Sequence, residues 1–207
     1  SEFVSGSNMI VISDEVYEKF VYDGVNHFSI ASLPDMKNRT VLVNSLSKTY
    51  AMTGWRVGYI VANSELLEEI MKIHMHSVAC VNSAAQIAAI AALTGPQDCV
   101  KRMVNEFRER RDLIVKGLNS VPGVSCYKPK GAFYVFPDIS RLGLGSEDCA
   151  QHLLYEGRVA TVPGPEFGMG GDGCLRISYS APKERLQEAL YRIESALSRG
   201  VRKLQQP

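Results

Sequence analysis

The chain has 207 residues, 45% of them hydrophobic, which is enough for one large or two small domains with buried cores and argues against disorder. Lysine and arginine total 23 and aspartate and glutamate total 22, so the formal net charge is only +1. Such a balance excludes a field strong enough to attract nucleic acid or an anionic membrane surface. Small molecules and protein subunits are the expected partners.

The five cysteines are odd in number, widely spaced and never arranged as Cys-x-x-Cys. This pattern argues against a disulfide framework and a zinc site, and it favours a reducing compartment. No apolar run approaches the roughly 20 residues of a membrane-spanning helix, and the sequence does not begin with a signal-peptide pattern. We therefore expect a soluble cytoplasmic protein without a metal site.

The first part of the chain has the texture of an α/β layer. Residues 1–8 are small and polar without periodicity and are predicted to be a cloning scar outside the fold. Residues 9–12, 40–43 and 57–62 are short, continuous apolar runs rich in β-branched side chains, typical of strands buried on both faces of a sheet. Helices should accompany these strands and cover them.

Helical patterns follow the third strand. Asn63 and Ser64 can cap a first helix, and Ser83-x-x-Gln86 resembles a capping box that opens a second. A third, longer amphipathic pattern runs from Val100 to Leu118 and is long enough to join two domains. We therefore assign residues 9–120 to a large domain with its linking helix.

Beyond residue 120 the pattern changes to short strands and two helices, which indicates a separate small α+β domain over residues 121–207. The predicted strands and helices of this domain are, in chain order, 124–127, 133–136, 147–156, 159–162, 175–178 and 182–197.

Polar side chains follow the first two predicted strands. Asp14 comes after the first strand, and Ser45, Ser47 and Lys48 come after the second. In open α/β sheets, ligands bind outside the carboxyl ends of the strands, so these residues should face one crevice, with Tyr17 one turn beyond Asp14. Each alone has a plainer explanation, such as a helix cap for Asp14 or a solvated side chain for Lys48.

The combination of segments is more specific. Ser45-x-Ser47-Lys48 is followed by Gly54-Trp55-Arg56, and Asp14-Glu15-x-Tyr17 precedes it. Three further segments complete the set: Lys130-Gly131-Ala132-Phe133-Tyr134, Pro163-Gly164-x-x-Phe167-Gly168 and Leu175-Arg176-Ile177-Ser178-Tyr179. In order and spacing they resemble the fold-type I aminotransferases of the aspartate aminotransferase family, which depend on pyridoxal 5'-phosphate (PLP).

The resemblance implies a role for each motif residue. Lys48 would bind the cofactor covalently and carry the reacting proton, Asp14 would hold the pyridine nitrogen, and Tyr17 would donate to the phenolic oxygen. Ser45, Ser47 and Arg56 would bind the phosphate.

For the substrate, the resemblance assigns the α-carboxylate to Arg176, whose planar guanidinium matches a carboxylate with two parallel hydrogen bonds. It implies an amino-acid donor, aspartate first, a 2-oxo acid acceptor such as 2-oxoglutarate, and a homodimer. The implied fold is part of the large PLP-binding α/β domain joined by a long helix to a small α+β domain.

Members of this family are about twice as long, so the chain resembles their C-terminal half, and we expect it to be inactive alone and to associate through its exposed sheet edge. Three alternatives stay open. They are a PLP-dependent β-lyase or cyclopropane-forming synthase, the aminotransferase-like effector domain of a transcription regulator, and a catalytically dead truncated product that acts by subunit association.

Overall fold

The computed structural model describes residues 3–4 and 6–204, and the side chains of these residues as far as residue 198. The chain forms two compact units, Ser1–Arg102 and Met103–Pro207. The division lies within the long helix α4, Asp98–Asn119. The domain boundary predicted after residue 120 lies just past the end of that helix.

The first unit contains a three-stranded sheet in the order β1-β2-β3. Its strands are β1, Val11–Asp14, β2, Thr40–Ser45, and β3, Gly58–Val61. Strand β1 pairs with β2 in parallel, and β3 pairs with β2 in the antiparallel direction. The α/β class expected from the sequence is confirmed.

The prediction that these strands are buried on both faces is wrong for β1 and β3. Ile12 in β1 is 74% exposed, and all four residues of β3 are exposed. A continuous apolar run indicates a strand whose two faces are both favourable to bury against other segments of protein. The residues described here supply that cover only in part.

The helices of the first unit are α1, Leu46–Thr49, α2, Ser64–Ser77, and α3, Ser83–Thr94. Asn63 caps α2 as predicted, because its Oδ1 accepts from the Leu66 N–H at 2.8 Å. The cap of α3 is Asn82 rather than Ser83, and its Oδ1 accepts from the Ala85 N–H at 3.1 Å. The capping box predicted at Ser83 is therefore wrong, and asparagine fills the same role one residue earlier.

A small cluster of buried apolar side chains supports the start of α1. It joins α1, the segment between α1 and β3, and α3, and consists of Leu46, Met52, Val57, Ala85 and Ala89. This packing holds the segment around Lys48 against α3.

The second unit contains an antiparallel sheet in the order β4-β6-β5. Its strands are β4, Tyr134–Val135, β5, Val162–Pro163, and β6, Leu175–Ser178, and its helices are α5, Ser146–Tyr155, and α6, Lys183–Leu204. The strand predicted at 124–127 is reduced to an isolated bridge between Ser125 and Asp138. Within the described part of the chain, no helix combines the length and apolar character needed to cross a membrane.

Candidate functional site

The ends of two parallel strands bring the first candidate residues together. Asp14 is the last residue of β1 and pairs in register with Val43 of β2, and α1 begins immediately after β2 ends. Asp14 is exposed, and its Oδ1 accepts from the Val16 N–H at 3.1 Å. Lys48 is half-buried within α1. The sheet thus places Asp14 and the Lys48 helix at one carboxyl edge, as expected from the sequence.

Tyr17 lies in a tight turn rather than a helix. The Glu18 N–H donates to the Glu15 carbonyl at 3.0 Å, and the Phe20 N–H donates to the Tyr17 carbonyl at 2.8 Å. The Tyr17 ring is half-buried and meets the Phe20 ring edge to face, with their centroids 6.3 Å apart. Tyr17 therefore lies in the turn that follows the end of β1.

Ser45 caps the N-terminus of α1, and its hydroxyl also contacts that of Ser47. Ser45 Oγ accepts from the Ser47 N–H at 3.1 Å, and the two hydroxyls are joined by a bond of 2.8 Å in which Ser45 donates. Ser45 Oγ is also 3.1 Å from the Val57 carbonyl. The single hydroxyl hydrogen of Ser45 has these two acceptors; when it is donated to Ser47, the Ser47 hydrogen can be donated to a ligand.

Arg56 sits at a special backbone position. Its φ and ψ are 54° and 49°, the left-handed region that costs a non-glycine residue about 1 kcal/mol or more. Its side chain is exposed, and Nη1 donates to the Thr53 carbonyl at 2.8 Å. A guanidinium has five donors, so further N–H groups can reach an anion.

Ser45, Ser47 and Arg56 line one cavity of about 500 Å³, within the range of small-molecule sites. Strand β3 and helix α2 supply much of its apolar wall. Lys48, Asp14 and Tyr17 are not among the lining residues. The structure thus groups the three residues predicted to bind phosphate around one space, and it places Asp14, Tyr17 and Lys48 at the edge of the same sheet.

Two further residues of this cavity were not found from the sequence. Asn44 is buried, and its Oδ1 accepts from the Ser45 N–H at 2.7 Å. Tyr59 is its partner in the β2–β3 register. Burial raises the pKa of Tyr59, and the nearby Glu18, Tyr50 and Glu15 raise it further, so its hydroxyl remains a donor at neutral pH. The cavity lining and the strand register together place Tyr59 here.

Arg176 lies in the second unit, in β6, where it pairs with Val162 of β5. Its guanidinium carbon lies 4.8 Å from the centre of the Tyr134 ring and 4.4 Å from that of Phe167. Within the part of the chain whose side chains are described, no carboxylate pairs with it. A guanidinium held by ring faces keeps its N–H edge available for an anion.

Two glycines, Gly164 and Gly171, allow a close approach of the backbone in the segment before β6. A Cβ on Gly164 would meet the Gly171 carbonyl oxygen at less than a normal contact distance, and the reverse holds for Gly171. The two backbones can therefore pack closely only because both residues lack a side chain. Nowhere in the described residues do three or more His, Cys, Asp or Glu side chains come together as a metal site would require.

The chain matches a known protein family and several of its members. The family described as "Aminotransferase class I and II" matches residues 1–193. An aspartate aminotransferase of Pyrococcus abyssi is 46% identical over 199 residues, which are 95% of this chain and 51% of that protein. The chain thus spans about half the length of the curated relatives it matches.

Solved structures give the same result. The aromatic aminotransferase of Pyrococcus horikoshii superposes with a TM-score of 0.92 at 46% identity, covering 97% of this chain and 54% of that one. A PLP-bound structure from Clostridium difficile superposes with a TM-score of 0.88 at 26% identity, covering 95% of this chain and 52% of that one.

Proposed function

We propose, since this chain belongs to the aminotransferase class I and II family, that the whole protein is a PLP-dependent aminotransferase. It transfers an amino group between an L-amino acid, aspartate first, and a 2-oxo acid such as 2-oxoglutarate. The observation that carries the proposal is the cluster of Ser45, Ser47 and Arg56 around one cavity, next to the helix that bears Lys48. The amino-acid preference rests on relatives that include both an aspartate and an aromatic aminotransferase.

The donors present fit PLP. The Ser47 hydroxyl and the Arg56 guanidinium are suited to a phosphate, and α1 is too short for its N-terminus to form an anion site without them. When bound, PLP supplies a conjugated ring that accepts the electron pair left on the substrate carbon after proton loss.

The residues at the sheet edge would control protons and charge. The Asp14 carboxylate is the group that would keep a proton on the pyridine nitrogen. The Tyr17 hydroxyl would donate to the phenolic oxygen. The Lys48 amine would bind the cofactor and, once displaced by substrate, would carry a proton to and from the substrate Cα as a general base.

The substrate carboxylate is assigned to Arg176. Its support is the guanidinium between the rings of Tyr134 and Phe167, which has no carboxylate partner among the side chains described. An anionic ligand would supply the negative charge to pair with this guanidinium. We further propose a homodimer in a reducing cytoplasm, in line with five cysteines that are all free.

The test begins with the absorbance spectrum of the purified chain after addition of PLP and dialysis. We expect a retained visible band in the original chain and no such band in Lys48→Ala. Lys37→Ala is the matched control, because Lys37 is an exposed lysine in a short 3₁₀ turn that should not contact the cofactor. A band retained in Lys48→Ala, or lost equally in Lys37→Ala, would contradict the role of Lys48.

Products then distinguish the reaction. The complete gene product, given aspartate and 2-oxoglutarate, should form glutamate and oxaloacetate, and Arg176→Lys should raise KM for both substrates because the paired hydrogen bonds are lost. Pyruvate and a thiol formed from a sulfur amino acid would instead identify a β-lyase and overturn the proposal.

A further inference from the structure

Glu15 is a buried carboxylate with three hydrogen-bond partners. Only 6% of the residue is exposed, although it directly follows exposed Asp14. Its Oε1 accepts from Ser13 Oγ at 3.1 Å and from Ser29 Oγ at 2.6 Å, and its Oε2 lies 2.7 Å from His27 Nε2. The Glu15 N–H also donates to the Val43 carbonyl at 2.9 Å, which continues the β1–β2 pairing by one residue.

These contacts come from two directions. Ser13 precedes Glu15 by two residues, so their side chains share one face of the strand while that of Asp14 points to the other. His27 and Ser29 lie 12 and 14 residues further along the chain. The Glu15 carboxylate therefore connects the loop between Phe20 and Ser29 to the end of β1, on the side of the strand opposite to the Asp14 side chain.

The ionised form of Glu15 is favoured by this arrangement. Burial alone raises its pKa, but the hydrogen bonds from Ser29, His27 and Ser13 outweigh burial and leave the pKa below its ordinary value. The carboxylate therefore stays charged at neutral pH, and it can accept all three bonds at once.

We propose that Glu15 is a positioning residue for the candidate site. By joining His27 and Ser29 to the end of β1, its carboxylate fixes the backbone on both sides of Asp14 and so holds the Asp14 carboxylate and the Tyr17 turn in place. The functional meaning rests on the proposed roles of Asp14 and Tyr17, whereas the physical coupling is independent of them.

The test removes the loop partners of Glu15, because a change at Glu15 itself would disturb the neighbouring Asp14 directly. NMR spectra of the chain, without cofactor, follow the Asp14 carboxyl carbon and the Val16 amide, which donates to Asp14 Oδ1. We expect both resonances to shift in His27→Ala and in Ser29→Ala. They should stay in place in Ser32→Ala, because Ser32 donates to the Ser29 carbonyl and has no bond to Glu15. Ser29→Thr, which keeps the hydroxyl, should resemble the original chain.

Unchanged Asp14 and Val16 resonances in His27→Ala would overturn the proposal, even if amides 27–32 exchange faster, because Glu15 would then anchor only the loop. The His27 side chain is 32% exposed, so this variant changes a partly solvated position and decides the question if Ser29→Ala unfolds. No step uses PLP. Failure here therefore differs from failure of the PLP spectrum, which would contradict the proposed function alone.

Discussion

The two three-stranded sheets differ in how well the described chain covers them. In the first unit, Ile12 of β1 is 74% exposed and β3 is exposed along its whole length. In the second unit, Ile177 of β6 is 7% exposed and Leu175 is fully buried. Both sheets contain apolar strands, so composition does not explain the difference. The second unit buries the apolar side chains of its central strand, whereas the described residues of the first unit cover their sheet only in part.

Helix α3 shows the same contrast. It is apolar on all sides, yet only Ala85 and Ala89 are buried, while Ile87, Ile90 and Leu93 are exposed. A helix that is apolar all round is normally enclosed by protein. The unit that carries Lys48 and Asp14 is thus the one that needs more polypeptide around it. We expect its amides to exchange faster than those of the second unit, and the chain to self-associate.

The largest expected effect is a difference in the free energy of unfolding between two isoleucine-to-alanine variants, one in a strand of each sheet. Ile177→Ala should lower the free energy of unfolding of the second unit by about 2–5 kcal/mol, because it removes a buried side chain. Ile12→Ala should change that of the first unit by less than about 0.5 kcal/mol. Unfolding in urea, monitored by hydrogen exchange of peptides from each unit, measures both changes. Similar losses would mean that Ile12 is covered in solution.

Cysteine reactivity provides a second, smaller contrast. Burial raises the pKa of Cys126 and of Cys149 to about 11, whereas Cys80 and Cys99 are exposed. At pH 8 a thiol of pKa about 11 is only about one part in a thousand thiolate, and burial also keeps its sulfur from a reagent. A thiol reagent should therefore modify Cys80 and Cys99 roughly a hundredfold faster. Peptide mass spectrometry over time gives the rates, and equal rates for all four would contradict the packing of the second unit.

Local patterns predicted part of this structure. The strand at 175–178 and the Asn63 cap are confirmed, because a strand run and a side-chain cap depend on neighbouring residues. The second cap was placed one residue late, since asparagine and serine are both good N-caps and Asn82 directly precedes Ser83. Burial was overestimated because it depends on which segments are present to cover a strand.

The candidate site divides in the same way. The segment from Ser45 to Lys48 was found from its sequence, and the residues expected to bind phosphate do share a cavity. Tyr59 was missed because its place follows from pairing with Asn44 across the β2–β3 ladder. The contacts of Glu15 with His27 and Ser29 could not be predicted, because these two partners lie 12 and 14 residues away in a loop without periodicity. The chemical roles of Lys48, Asp14, Tyr17, Ser45, Ser47, Arg56 and Arg176 stay predictions.

A further stability comparison, smaller than that for Ile177, tests the strand pairing beside the residues proposed to bind phosphate. Gly58 lies opposite Ser45, and a Cβ there would stand 2.7 Å from the Asn44 carbonyl oxygen, a backbone atom that cannot move aside freely. Gly58→Ala should therefore cost the first unit about 1–3 kcal/mol. Gly54→Ala is the matched control, because a Cβ at Gly54 meets nothing within 4 Å.

Urea unfolding followed by fluorescence measures this difference, because the only tryptophan of the chain, Trp55, lies in the first unit. The cost should come with weaker phosphate binding, since Ser45 both ends β2 and caps the helix of Lys48. Equal stability of the two variants would show that β3 does not approach Asn44 closely. The exposed β3 would then be loosely held, and the cavity wall beside Ser47 and Arg56 would need added polypeptide before it could bind an anion.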